Sequence, residues 1–385
     1  VFNLKAIFRN QGSNNVLRRA CEAPTLSFPR DHGQHGDFRT EWWYLSGYLH
    51  SHEGTEWAYH FTIFRRALEK WTDLALVAAA ISSRDVRNIA AFQRALAKML
   101  ESQNSKRIGV DGYVGHLAIT NVAQQEYAFF ERAGTSLFQI AGARDDCLSA
   151  WVKGWTLQER GGLIHVVAER NDCAIDLELR PIKPPVLHGN HGLTIKGSET
   201  GQASYHYSLA PLRTSGSLTW RGKTNHVAGN SWMDREFATG MMPKSVRGWD
   251  WFGLILDNGY EVMISLIRLL DGSIAGTSSA TLVLPDSASQ CLTADHLRIE
   301  PVELWTSPTT GARYPINWVA EIDQMGLRLN IRALVKEHEL VSASSTTVDY
   351  WEGPVGVSGT MCGKIIAGNG HVELVGYSQS VGGKF

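Results

Sequence analysis

The chain is poor in the features that mark the commonest enzyme and membrane classes. Its five cysteines (Cys21, Cys147, Cys173, Cys291 and Cys362) are scattered, and no two form a Cys-x-x-Cys pair. An odd, scattered set cannot build a disulfide framework, so buried thiols with at most one incidental disulfide are expected. No apolar run reaches the roughly 18 residues of a membrane-crossing helix. The formal net charge is −1, so no nucleic-acid or anionic-membrane partner is expected. There is no Gly-x-Ser-x-Gly elbow, no glycine-rich strand-to-helix turn and no His-Glu-x-x-His. Serine hydrolases, dinucleotide enzymes and zinc proteases each lose their motif. His32 with His35, and His188 with His191, give His-x-x-His in glycine-containing loops. A zinc site needs three or four convergent donors, so neither metal nor any other cofactor is expected. No signal peptide is visible and the chain starts at Val1, which leaves cytoplasm and periplasm both open.

Tryptophan, by contrast, is abundant, at 13 residues. The organising stretch runs from Phe28 to Gly47. Pro29, Gly33 and Gly36 make its first half a loop, and Glu41-Trp42-Trp43-Tyr44 then opens a strand. Side chains alternate along a strand, so Trp42 and Tyr44 share one face while Glu41 and Trp43 share the other. Such bulk must be covered on both faces, or cover a core on one and line a cavity on the other.

Strand-like runs of alternating residues, broken by turn residues every 8–12 positions or so, recur from His116 to Leu179 and again from His296 to Tyr377. Arg84 to Gln103 differs: Val86, Ile89, Phe92, Leu96 and Met99 follow helical spacing and predict one amphipathic helix. Trp249-Asp250-Trp251 leads a hairpin that turns at Asn258-Gly259, and the first half does the same from Trp42-Trp43. An aromatic-led hairpin repeated once argues for duplication. The expected units are an extension over residues 1–27 and two domains over 28–210 and 211–385.

The Phe28–Gly47 stretch resembles the opening signature of the AttH-like and carotenoid 1,2-hydratase (hydroxyneurosporene synthase) family. The resemblance continues through Ala203–Ser208, Gly229–Glu236, Gly248–Phe252 and Tyr350–Gly353, in the same order. It implies an all-β protein of two lipocalin-like (calycin) antiparallel β-barrels, with the helix inserted. Fungal decalin-forming Diels–Alderases are similar in this architecture. Carotenoid hydratases carry a His-x-Trp and a downstream Tyr-x-Asp. Here those positions read Asn230-Ser231-Trp232 and Val262–Leu266, so carotenoid hydration itself is not expected.

Acid and aromatic residues coincide in these segments. A carboxyl group in an apolar pocket stays protonated near neutrality and can protonate an alkene. Aromatic faces then stabilise the cation. The candidate catalytic residues are Glu41, Asp234 and Glu352. The candidate substrate-binding residues are Trp43, Tyr44, Tyr205, Tyr207, Trp232, Trp251 and Trp351. Trp42 and Trp249 are expected to pack, and Asp234-Arg235-Glu236 has ion pairing as its alternative. The expected activity is cofactor-free cyclisation or hydration of a hydrophobic unsaturated metabolite. The competing reading is a lipid or pigment carrier, which has no use for unpaired buried carboxyl groups. Barrel mouths and domain interfaces are the favoured places for the pocket.

Overall fold

A computed structural model describes residues 17–68, 110–342 and 348–384. The expected helix, Arg84–Gln103, lies outside the described residues. What is described is all-β, built from two curled antiparallel sheets of thirteen and ten strands. The cause is period-two patterning. In Cys173–Pro181, Cys173, Ile175, Leu177 and Leu179 are buried while Asp176, Glu178 and Arg180 are exposed. Leu327–Ala333 alternates in the same way. Each sheet folds its apolar face inward around its own core, one containing Trp43, Phe61 and Trp155, the other Phe252, Trp318 and Trp351.

The two sheets repeat one plan. In each, the aromatic-led strand lies between its hairpin partner and the last strand of the sheet. Thr40–Ser51 pairs with Glu56–Leu68 on one side and Lys223–Ala238 on the other. Val246–Leu256 pairs with Glu261–Leu269 and Lys364–Val375. The first sheet curls until Gly134, on its edge strand Glu126–Thr135, packs against Ala141 on the opposite edge. The boundary expected at 210/211 falls inside the strand Ala203–Trp220, which pairs with Lys223–Ala238 as a hairpin. The change of sheet comes between Ala238 and Val246. The strand passes Pro211 with a register shift between Leu209 and Leu212.

The aromatic-led strands are buried on both faces. Trp43, Leu45 and Leu49 fill the first core, while Phe252, Leu254 and Leu256 fill the second. The opposite faces, carrying Trp42, Tyr44, Trp249 and Trp251, meet in a separate cluster between the sheets. Close approach there depends on Gly253, where a Cβ would come within 2.4 Å of the Trp251 ring.

Glu41 closes one end of the first barrel. Its carboxylate accepts hydrogen bonds from Arg65 Nη1 and Arg235 Nη2, both at 3.0 Å, and from the His35 backbone N–H at 3.1 Å. Arg65 also reaches Asp111 at 2.9 Å. Glu41, Arg65 and Arg235 are completely buried. Burial pushes the Glu41 carboxyl up, but His35, Arg65 and Arg235 outweigh it and hold it down at about 2. Its stabilisation is therefore full above the ordinary carboxylate value and is lost only as pH falls through about 2. Glu41→Ala leaves the buried Arg235 guanidinium without its carboxylate partner and Arg65 with Asp111 alone, and is expected to cost about 3–5 kcal/mol. Thermal denaturation checks this; an unchanged melting temperature would show that the cluster does not hold the barrel end.

Candidate active site

A cavity lies between the two sheets. Four adjacent strands of each sheet supply its walls, and strand register explains which side chains arrive. In the first sheet, Trp42 is opposite Phe64 and Glu236, and Tyr44 is opposite Thr62 and Asp234. Asp234 and Glu236 are in turn opposite Ser208 and His206. In the second sheet, Trp251 is opposite Ser265 and Glu373, and Glu373 is opposite Glu352. Lys196, Gln202, Met241 and Met242 add lining from loops.

The structure separates the expected site residues by strand parity. Tyr44, Asp234, Trp251 and Glu352 line the cavity. Trp232 stands just behind, donating its Nε1–H to Asp234 Oδ1 at 2.6 Å. Glu41 and Trp43 point the other way. Trp43 is in the barrel core with the Arg235 guanidinium 4.0 Å from its ring centre. Tyr205 packs with Phe38 and Phe237. The Tyr207 hydroxyl bonds His32 Nδ1 at 2.7 Å and the Asp31 carbonyl at 2.9 Å. Trp351 belongs to the second core and donates to the Lys336 carbonyl. Trp42 and Trp249, expected only to pack, line the cavity. So do His206, Glu236 and Glu373, which the sequence reading did not place in the site. Alternation was the available signal: in Tyr205-His206-Tyr207, whichever face takes the tyrosines, the histidine takes the other.

The carboxyl groups of the cavity fall into two classes. Asp234 and Glu236 have cationic or donor neighbours. His206 Nε2 stands 3.1 Å from Asp234 Oδ2, and Lys196 Nζ is 3.0 Å from Glu236. Burial pushes Asp234 up, but the His206 and His188 rings and the Ser208 hydroxyl bring it below its ordinary value. Glu236 is likewise raised by burial and brought lower overall, chiefly by Lys196.

Glu352 and Glu373 are the other class: among the described residues neither has a charged partner, since burial pushes the His60 imidazole, 3.5 Å from Glu352 Oε2, toward its neutral form. They sit directly opposite each other on adjacent strands, where like charges repel. Glu352 is pushed well above the ordinary range by burial and then by Glu373, with Tyr44 opposing weakly. Glu373 is pushed up to about 7 by burial, although the Trp249 N–H, at 3.0 Å, counters it. Glu352 Oε1, the Tyr44 hydroxyl and Trp251 Nε1 are buried without a hydrogen-bond partner of good geometry among the described residues. The site thus holds one carboxyl pair pushed toward the protonated form and two carboxylates, Asp234 and Glu236, held toward the ionised form.

A profile of the AttH-like family matches residues 19–377. The chain belongs to the AttH-like family. The crystal structure of a putative AttH from Nitrosomonas europaea is 27% identical with a TM-score of 0.77, over 94% of this chain and all of that one. Kievitone hydratase from Nectria haematococca is 15% identical with a TM-score of 0.65, over 94% of this chain and 97% of that one. CghA, solved with Sch210972, is 10% identical with a TM-score of 0.52 over 89% of both chains. No curated protein matches. The two-domain lipocalin-like fold implied by the sequence is the fold of this AttH-like chain. No helix among the described residues is long and apolar enough to cross a membrane.

A raised carboxyl stabilises the fold while protonated. The contribution of Glu373 is full below the ordinary glutamate value and is lost as pH rises through about 7. Glu373→Gln cannot ionise. Its melting temperature is expected to fall less than that of the wild type between pH 5 and pH 8. Parallel curves for the two proteins would contradict the assignment.

Proposed function

We propose that this AttH-like protein is a hydratase acting on an apolar, unsaturated small molecule, with Glu352 as the general acid. The observation that carries the reading is that Glu352 and Glu373 lie directly opposite each other in a cavity walled by Trp42, Trp249, Trp251 and Tyr44, where burial pushes both carboxyl groups up, while Asp234 in the same cavity is held down by its histidine neighbours. Two carboxyl groups whose environments drive their pKa values apart are an acid and a base.

Glu352 gives its proton to one alkene carbon, and positive charge develops on the other. The indole faces stabilise that charge without trapping it. Water adds to the second carbon and Asp234 accepts the proton it releases, so the product is an alcohol. Solvent returns the proton from Asp234 to Glu352. The chain's own side chains suffice for these steps. Capture of the cation by a second double bond of the same substrate would give a ring instead. Asp234, placed to activate water, favours hydration. The fold shared with kievitone hydratase supports the same reading.

Glu352→Gln keeps the shape and removes the proton. Turnover of a hydratable alkene is expected to fall about 100-fold or more, with ligand binding retained. In the wild type, kcat/KM should persist through neutrality and fall on the alkaline side as the carboxyl pair ionises. It should fall on the acid side, below the ordinary carboxylate range, as Asp234 is protonated. If no bound alkene is turned over, and affinity follows only the aromatic residues, the protein is a carrier. Loss of turnover in Trp251→Ala with full turnover in Glu352→Gln would mean templating without acid catalysis.

A further inference from the structure

Behind the Asp234 wall of the cavity, three side chains bring metal-ligating atoms together. A nitrogen of His188, a nitrogen of His206 and a carboxylate oxygen of Asp234 all lie within 4.8 Å of one another. The three residues are 1%, 3% and 4% exposed. Around a tetrahedral zinc ion with bonds of about 2.0–2.1 Å, donor atoms stand roughly 3.3 Å apart, so a small closure would complete the set.

The surroundings suit ligands. His188 Nδ1 is 2.9 Å from Thr281 Oγ1 on the second sheet, a partner that orients the ring and leaves Nε2 facing the cluster. That Nε2 is 2.5 Å from the Ser208 hydroxyl, which also bonds Asp234 Oδ1. Trp232 Nε1–H holds the same carboxylate oxygen at 2.6 Å. Neither ring nitrogen of His206 makes a hydrogen bond of good geometry, although Nε2 stands 3.1 Å from Asp234 Oδ2. The His188 and His206 rings lie 4.4 Å apart. An Asp234–His206 ion pair alone has no use for a second buried imidazole at this distance.

We propose that His188, His206 and Asp234 form a binding site for one divalent ion of the zinc class. Two imidazole nitrogens and one carboxylate oxygen select borderline metals over magnesium and calcium, which take oxygen ligands. Three protein ligands leave a position open, and His206 and Asp234 both line the cavity, so that position faces the substrate space. An ion there would present a water to the cavity from the wall bearing Asp234 and, with Asp234 as its ligand, would itself take over the activation of that water from the free carboxylate. That consequence, unlike the site itself, rests on the hydratase reading.

The test is metal binding by the full chain after stripping with a chelator. Zn²⁺ is titrated by calorimetry, and Co²⁺ by its visible d–d absorption. One equivalent per chain is expected, with cobalt bands characteristic of low coordination number and displacement of Co²⁺ by Zn²⁺. His188→Gln and Asp234→Asn should each weaken binding by about tenfold or more, since even the outer partners of a metal site have effects of that size. Circular dichroism identifies the variants that fold. Glu352→Gln should bind the ion as the wild type does, so failure of the acid role and failure of the metal site are separate results. Absence of stoichiometric binding by the wild type would overturn the site. So would equal affinity in the wild type and a folded His188→Gln.

Discussion

Glu352 and Glu373 face each other across two hydrogen-bonded strands, and register prevents either from leaving. In water such a pair would ionise and turn outward. Here Glu352 is buried and Glu373 half-buried, with Trp249, Trp251 and Tyr44 around the same cavity. Desolvation and mutual repulsion both favour the neutral form, so the environment itself retains a proton near neutral pH. A carboxyl group kept in this state is a usable acid, and few other structural purposes account for its cost.

The rest of the architecture serves that confinement. Each sheet buries its own core, so the space between the sheets is free to be shaped separately. The aromatic-led strands contribute to a core on one face and to the cavity on the other. The Glu41–Arg65–Arg235 cluster anchors the first of these strands at the barrel end. The cavity consequently has two kinds of wall. The first sheet supplies ionised carboxylates with cationic or histidine neighbours, and the second supplies the protonated pair.

Much of the fold was legible in the sequence because it follows from local pattern. Alternation marked the strands, and the two tryptophan hairpins marked the duplication. The face shared by Trp42 and Tyr44 was also legible. Which face looks out of the barrel was not, because Thr40–Ser51 is buried on both sides. Glu41 attracted attention as an acid beside tryptophans, yet its partners Arg65 and Arg235 arrive from 24 and 194 residues away. Glu373 became visible only through pairing between distant strands, and alternation set His206 on the face opposite Tyr205 and Tyr207 without telling which face meets the cavity. His188 was weighed with His191 by spacing, whereas the fold sets it beside His206 and Asp234.

The central claim is that Glu352 carries a proton at neutral pH inside the folded protein. Infrared difference spectroscopy of wild type against Glu352→Gln at pH 7 measures this directly. The account predicts a protonated carboxylic acid C=O band in the wild type that disappears in the variant. A difference spectrum showing only the symmetric and antisymmetric stretches of an ionised carboxylate would contradict it.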